Sequence, residues 1–171
     1  PTPLLPATDK DPPVAPAAGP DLLTILFLIW LGGAVLLLAG ALLLHRRQAR
    51  ALLSGATALD PIGGVRLSIA GLPNGPVALG LWHRRIIVPS DFFARFDAEE
   101  RALALDHELA HHRGGDLWAN AAALVLLAAQ WFNPLAWMAM RAFRCDQESA
   151  CDARILAQRS DPDQLWRYGA A

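Results

Sequence analysis

His107-Glu108-Leu109-Ala110-His111 is the stretch around which the rest of this chain is expected to fold. On a helix, residues four positions apart lie on one face, so both imidazoles can hold one metal ion with Glu108 beside it. Zinc accepts such ligands, and in catalytic sites it lowers the pKa of a water molecule from about 15.7 to roughly 7. The same five residues can also occur on a solvated helix face, so the flanking sequence has to decide.

The flanking residues predict a helix from Ala98 to Arg113. Asp97 is followed at the third helical position by Glu100, which is the pattern of an N-terminal capping box. Gly114-Gly115 supplies the stop signal. The motif is therefore expected on a helix of about four turns.

A catalytic zinc site usually needs a third protein ligand, and the best candidate is Glu148. It lies in a segment of helical composition, residues 134–158, which would form a second site helix. Asp152 lies four positions later on the same face, where it could accept the free N–H of a ligating histidine. In the competing interpretation, Glu148 and Asp152 lie on a solvated helix face and form salt bridges with neighbouring arginines. The upstream motif makes the ligand interpretation the better one.

Several segments together carry a family resemblance: His107–Asp116, Trp131–Trp137 and Asp146–Arg154, preceded by Gly75–Leu81 and Arg85–Pro89. Over residues 62–158 the chain resembles the BlaR/MecR-type family of membrane-embedded zinc metallopeptidases. That resemblance implies that His107, His111 and Glu148 are zinc ligands and that Glu108 is the catalytic base. It also implies a peptide or protein substrate, a transcriptional repressor or the peptidase itself, cut in response to an extracytoplasmic signal.

The expected fold class is α+β, a membrane-anchored zincin-like domain of the gluzincin type. It would comprise the H-E-x-x-H helix, the second glutamate helix and a small β-sheet. We expect this metallopeptidase domain at residues 62–160, with a membrane-associated helical hairpin at 116–140 inside it.

Composition favours association with a lipid bilayer. Of the 171 residues, 54% are hydrophobic, and the formal net charge of -1 argues against nucleic acid as a partner. The chain begins at Pro1 rather than methionine, so we expect a fragment or a processed product.

The N-terminal part divides into three predicted segments. Residues 1–21 are rich in proline and predict an extracytoplasmic linker. Residues 22–45 predict a transmembrane helix, because the run from Leu22 to Leu44 has no charge and is long enough to cross about 30 Å of hydrocarbon. Residues 46–61 are expected to be a juxtamembrane linker. Aspartates precede the span and arginines follow it, so the catalytic domain should be cytoplasmic.

Three short strands are predicted between this linker and the motif helix, at Val65–Ile69, Val77–Leu81 and Ile86–Val88. Zinc peptidases commonly hold an extended substrate against an edge strand by backbone pairing. The substrate-binding residues would then be those of the second strand: Val77, Ala78, Leu79, Gly80 and Leu81. An ordinary buried strand is the alternative.

Leu117–Met140 carries no charge and looks like a second membrane span. A single helix of that length would be about 36 Å long, which would separate Glu148 from the histidines. We therefore predict a hairpin that turns at Asn133, with Pro134 opening its second helix and Asp116 capping its first. The hairpin would dip into the membrane or lie against it. The two cysteines, Cys145 and Cys151, are expected to be reduced thiols. Cys145 could approach the zinc from three residues before Glu148, but a small buried apolar residue is the better interpretation of it.

Two other functions fit the sequence. One is an HtpX-like membrane peptidase that degrades misfolded proteins. The other is a noncatalytic signalling or scaffold protein whose metal is structural or absent; an intact Glu108 argues against it, because a structural zinc site does not use a base. A C-terminal tail is expected at residues 161–171, and the oligomeric state is left open.

Overall fold

The computed structural model describes residues 19–71 and 75–158. Nearly all of the predicted proline-rich linker 1–21 and the whole predicted tail 161–171 lie outside the described residues.

Helix α1 runs from Leu22 to Leu53 and begins at Asp21, whose carboxylate accepts a hydrogen bond from the Thr24 backbone N–H at 2.9 Å. It is the one helix among the described residues that is long and apolar enough to cross a membrane. The predicted linker 46–61 is wrong, because the helix continues through its first half. Arginine, glutamine, alanine and leucine are all strong helix formers, so nothing stops the helix before Gly55, which has a positive φ of 82°.

The second half of that supposed linker forms the first strand of a four-stranded sheet. The strands are β1 (Thr57–Ile62), β2 (Val65–Ala70), β3 (Val77–Leu79) and β4 (Arg85–Pro89), in the order β1-β2-β4-β3. The pair β2-β4 is parallel and the other two pairs are antiparallel. Strand β1 was not predicted because it contains Pro61, and proline is tolerated only in edge strands such as this one. The connection at Gly63-Gly64, with both φ angles positive, marks it as a tight hairpin.

One face of the sheet packs on the motif helix. After the short helix α2 (Phe92–Arg95), helix α3 extends from Ala98 to Gly114, as the capping pattern predicted. Fully buried apolar side chains join the two layers: Val65, Leu67, Ile86, Val88, Phe92 and Leu109. This core fixes the outward face of α3, which carries the histidines.

Two further helices complete the fold, α4 (Asp116–Ala129) and α5 (Pro134–Gln158). The chain turns back between them: the Asn133 backbone N–H donates to the Gln130 carbonyl, and the Asn133 side chain accepts from the Leu135 N–H. The α+β class is thus present, and the apolar segment is a hairpin rather than one long helix.

The tip of this hairpin is attached to the middle of α1. The indole N–H of Trp30 donates to the Ala129 carbonyl at 2.8 Å, and that of Trp131 donates to the Trp30 carbonyl at 3.1 Å. A Cβ at Gly33 would overlap the Trp131 ring, so the glycine creates the notch that admits it. Trp131 therefore packs against α1 within the protein.

Candidate metal centre

The capping box that starts α3 is formed in full. The Asp97 carboxylate accepts from the Glu100 backbone N–H at 2.9 Å, and the Glu100 side chain accepts from the Asp97 N–H at 2.9 Å. This fixes the first turn of the helix and hence the rotation of the residues that follow. His107 and His111 consequently lie on one face, one turn apart.

Three candidate ligand atoms converge where α3 meets α5. His107 Nε2 lies 3.1 Å from His111 Nε2, and Glu148 Oε2 lies 3.4 Å from the first and 3.6 Å from the second. In a tetrahedral zinc site with bonds of about 2.0–2.1 Å, ligand atoms are roughly 3.3–3.4 Å apart. The three atoms therefore have the mutual spacing of ligands that share one ion. Glu148 is largely exposed, so this side of the cluster is open.

Each histidine contacts a carboxylate at Nδ1, the ring nitrogen that does not face the cluster. Asp152 Oδ1 lies 3.3 Å from His107 Nδ1, as the spacing on α5 suggested. Asp116 Oδ2 lies 2.8 Å from His111 Nδ1 and is almost completely buried. The sequence expectation for Asp116 was wrong: Gly115 is the N-cap of α4, and the Asp116 side chain makes no capping bond. The sharp turn at Gly115, with φ of 74°, instead directs Asp116 back towards α3.

These carboxylates decide which nitrogen of each ring carries its proton. An Nδ1 that faces a carboxylate donates its hydrogen, which leaves both Nε2 atoms of His107 and His111 as acceptors. In that tautomer the two acceptors and the Glu148 carboxylate face one another with no hydrogen between them. Such a cluster is repulsive unless a cation joins it, so the donor set fits a divalent metal that prefers nitrogen and oxygen ligands.

Cys151 gives a second possible grouping with the two histidines, since all three ligand atoms lie within 4.8 Å of one another. Its Sγ lies 3.8 Å from His107 Nδ1, however, and the thiol donates to the His107 carbonyl at 3.6 Å. Burial raises the pKa of the thiol to about 11 in the metal-free chain, so without a metal ion Cys151 is a neutral thiol. In this arrangement Cys151 contacts the Nδ1 side of the His107 ring and the His107 backbone, and it remains a second candidate ligand. Cys145 is exposed, contrary to the expected buried role.

Glu108 lies between the histidines in sequence and faces strand β3. Burial raises the pKa of its carboxyl to about 7, and this shift is opposed by the electrostatic interaction with His111 and by a hydrogen bond from the Ala78 backbone N–H. A carboxyl with a pKa near neutrality can both accept and return a proton, as a general base requires.

Strand β3 is an edge of the sheet, and the residues predicted to bind substrate lie on it or just beyond it. Val77, Ala78 and Leu79 form the strand, while Gly80 and Leu81 do not continue it. The strand ends there because Gly80 has φ of 87°, and a Cβ on it would overlap the His83 carbonyl. Because Ala78 directs its N–H to Glu108 and not to β4, its backbone groups face the open edge.

Two contacts around the cluster were not predicted. Arg154 on α5 lies 3.5 Å from Asp116 Oδ2, and a Cβ on Gly114 would overlap its guanidinium, so Gly114 leaves room for this pair. His112 is buried and hydrogen-bonded to the Arg85 carbonyl at 3.0 Å, so it attaches α3 to β4 and does not join the metal cluster. The sequence does show polar residues and glycines directly after the motif, among them His112, Gly114 and Asp116. It does not show their partners, because Arg85 and Arg154 lie far from them in the chain.

The chain resembles known proteins over most of its length. A family model described as BlaR1 peptidase M56 matches residues 7–171. The regulatory protein BlaR1 of Bacillus licheniformis is 34% identical over 92 residues, which are 54% of this chain and 15% of that protein. The methicillin resistance mecR1 protein of Staphylococcus aureus is 26% identical over 105 residues, which are 61% of this chain and 18% of that protein.

The chain thus spans less than a fifth of the length of these relatives. The family match itself covers nearly all of the chain and includes the motif helix, the hairpin and the second site helix. With its cluster of possible metal ligands and its long apolar helix, this chain belongs to the BlaR1 peptidase M56 family of membrane-associated metallopeptidases.

Proposed function

We propose that the chain is the catalytic part of a membrane-bound zinc metalloendopeptidase that hydrolyses peptide bonds on the cytoplasmic side of the membrane. The observation that supports this most strongly is the convergence of His107 Nε2, His111 Nε2 and Glu148 Oε2 within 3.6 Å, with each imidazole held at Nδ1 by a carboxylate.

His107, His111 and Glu148 would hold the zinc, and Asp152 and Asp116 would keep the two imidazoles in the ligating tautomer. Bound there, zinc polarises a carbonyl group and makes a water molecule acidic enough to lose a proton near neutral pH. Three protein ligands leave one coordination position open, which is the arrangement of catalytic zinc sites rather than structural ones.

Glu108 is the proposed general base. Its carboxylate would take the proton of the attacking water and then transfer it to the amide nitrogen that leaves as the peptide bond breaks. The hydrogen bond from the Ala78 N–H orients the carboxylate during this transfer and ties the base to the adjacent sheet edge.

Strand β3 is the proposed substrate platform. In an antiparallel ladder, alternate residues direct their N–H and C=O groups to opposite sides, so the Ala78 carbonyl shares the open edge with its N–H. An extended peptide that pairs with this edge would lie across the cluster, with its backbone next to Glu108. Only Val77–Leu79 can serve as the strand, since Gly80 turns the chain away.

The membrane placement follows from α1, whose apolar part precedes a group of arginines, Arg46, Arg47 and Arg50. The positive-inside rule supports the proposal that the sheet and the metal cluster lie in the cytoplasm. The biological substrate we propose is a transcriptional repressor or the peptidase's own chain, cut under control of a signal from outside. This part rests on the resemblance to the BlaR/MecR-type family; the names of the relatives, a regulatory protein and a methicillin resistance protein, support only a regulatory role.

The test combines zinc content with cleavage, using the full chain in mild detergent. We expect one zinc per chain in the wild type and in Glu108→Gln, but little after mild chelation in Glu148→Ala. With a panel of unstructured peptides, only the zinc-loaded wild type should cleave. Removing the base leaves the ligands in place, so Glu108→Gln separates catalysis from metal binding.

Different outcomes contradict different parts of the proposal. A folded wild-type chain that binds no zinc would exclude the metallopeptidase assignment. A Glu108→Gln variant that cleaves as fast as the wild type would remove Glu108 as the base. Equal zinc in Glu148→Ala and the wild type would retain the histidines but require another third ligand.

A further inference from the structure

A cleft opens between helices α1, α4 and α5. It has a volume of about 430 Å³, within the range of small-molecule sites. Each wall is one face of a helix: Leu37 and Ala41 from α1, Leu124 and Leu127 from α4, and Trp137, Met140, Arg141 and Arg144 from α5. The cleft plays no part in the metal site described above.

The cleft is polar at one end only. Helix α5 starts at the hairpin tip, which contacts α1 at Trp30, and leads away from it, so Trp137 comes before the two arginines. The apolar end therefore lies towards the hairpin tip, and Arg141 and Arg144 lie at the end from which the chain leaves the apolar region. Neither guanidinium is ion-paired within the described ranges 19–71 and 75–158.

The depth of the cleft along α1 matches the cytoplasmic half of a bilayer. Leu37 and Ala41 lie between Trp30, at the level of the hairpin tip, and Arg46, where the charged part of α1 begins. At 1.5 Å per residue, Leu37 is about 13 Å and Ala41 about 8 Å from Arg46 along the axis. By the same rise, Arg141 and Arg144 lie about 10 and 15 Å from the start of α5 at the hairpin tip, level with Leu37 and Ala41. The groove is therefore apolar between this level and the tip and has two cations at this level, which matches the polarity of a phospholipid of that leaflet.

We propose that this cleft binds one anionic phospholipid, with its phosphate between Arg141 and Arg144 and an acyl chain along the apolar walls. Basic pockets between membrane helices on the cytoplasmic side bind anionic headgroups in this way. A transmembrane helix from another part of the protein is less suitable as occupant, because it would have to supply carboxylates at the level of both arginines. The inference rests on the proposed membrane placement and not on peptidase activity.

This site would be close to the metal cluster along α5. Arg144 precedes Glu148 by one helical turn, and the two side chains lie on the same side of the helix. A lipid held by Arg141 and Arg144 would therefore steady the turn of α5 that presents Glu148. Lipid binding and zinc retention can be measured separately on the same sample.

The experiment is native mass spectrometry of the full chain, released from detergent after addition of equal amounts of dioleoylphosphatidylglycerol and dioleoylphosphatidylcholine. We expect one bound phosphatidylglycerol, preferred over phosphatidylcholine by about 25-fold, since each of the two arginines favours an anionic lipid by about fivefold. Arg141→Gln/Arg144→Gln should abolish the preference. The matched control, Arg46→Gln/Arg47→Gln, removes two charges outside the cleft and should keep it.

Two further arms define the ligand and its place. Ala41→Trp fills the cleft from the α1 side without changing charge and should reduce retention of both lipids; circular dichroism checks that helix content is kept. If the double arginine variant does not fold, Ala41→Trp decides alone. Glycerol phosphate, which has the headgroup charge without acyl chains, should not compete with the lipid.

The proposal is overturned by equal retention of the two lipids in the wild type, or by the same loss in both arginine double variants. Unchanged lipid binding in Ala41→Trp would place the lipid elsewhere. Competition by glycerol phosphate would reduce the site to an anion site. A photocrosslinker at Met140 that joins to protein rather than lipid in phosphatidylglycerol-containing membranes would assign the cleft to another helix.

Discussion

Replacement of Asp116 by asparagine tests whether the buried carboxylate controls the metal site through His111. Asp116 Oδ2 lies 2.8 Å from His111 Nδ1, and the two side chains are only 10% and 14% exposed. A short ionic hydrogen bond of this kind, shielded from water, is worth about 1.5–3 kcal/mol. Asparagine is nearly isosteric but uncharged, so it leaves the fold in place while it weakens the hold on the ring and lowers the basicity of Nε2.

The expected effect is a loss of zinc affinity of roughly 10- to 100-fold, the usual cost of removing such a supporting carboxylate. This equals about 1.4–2.8 kcal/mol, which agrees with the hydrogen-bond value above. The assay is competition of the full chain in detergent against a fluorescent zinc chelator, with thermal unfolding as a check on folding.

Asp152→Asn provides the matched control, because the same substitution is made at the other histidine. Asp152 Oδ1 is 3.3 Å from His107 Nδ1 and its side chain is 44% exposed, so water screens the interaction. We expect less than about a tenfold loss there. Wild-type zinc affinity in Asp116→Asn, or a larger loss in Asp152→Asn, would show that the buried carboxylate does not control the metal site.

Three further predictions concern packing and proton binding. Gly33→Val should cost about 1–3 kcal/mol by forcing the Trp131 ring out of its notch, whereas Gly32→Val faces open space and should be nearly neutral in thermal unfolding. At about pH 8, maleimide should label the exposed Cys145 quickly and Cys151 only after unfolding. Burial and a thiol pKa of about 11 both suppress the reaction of Cys151, so rapid labelling of both cysteines would contradict this prediction. In the folded, zinc-free chain the pKa of Glu108 is raised to about 7, whereas in the unfolded chain it is about 4.5. Between these pH values the carboxyl is ionised in the unfolded chain but still protonated in the folded chain, so the folding stability falls as the pH rises through this window. Glu108→Gln should therefore raise the melting temperature of the zinc-free chain above that window and change it little below it; an equal shift at both pH values would exclude this cause.

Much of the site could be predicted because its signals are local. The positions of His107, Glu108 and His111 on one helix follow from the capping box, the four-residue spacing and the glycine stop. The hairpin could be inferred from a length argument, since one long helix would have separated the histidines from Glu148. The proposed catalytic role of these residues is a prediction that the zinc and cleavage measurements will test.

The features that the sequence did not predict depend on contacts with residues far away in the chain or on the helical propensity of neighbouring residues. Strand β1 contains a proline and is a strand only because β2 lies beside it. Asp116 reads as a helix cap by position, yet the left-handed turn at Gly115 directs it to His111. Residues 46–53 read as a linker after a membrane span, but helical propensity continues through them until Gly55.

The sequence by itself determined the family, the α+β class, the motif helix and the apolar span, because each depends on residue type at short, fixed spacing. Only the tertiary structure decided which nitrogen of each histidine faces the cluster, since that choice depends on Asp152 and Asp116 approaching from other helices. It also decided that the hairpin tip lies against Gly33 and that Ala78 reaches Glu108. Such contacts arise when whole elements pack, and their geometry is not encoded in any short stretch of chain.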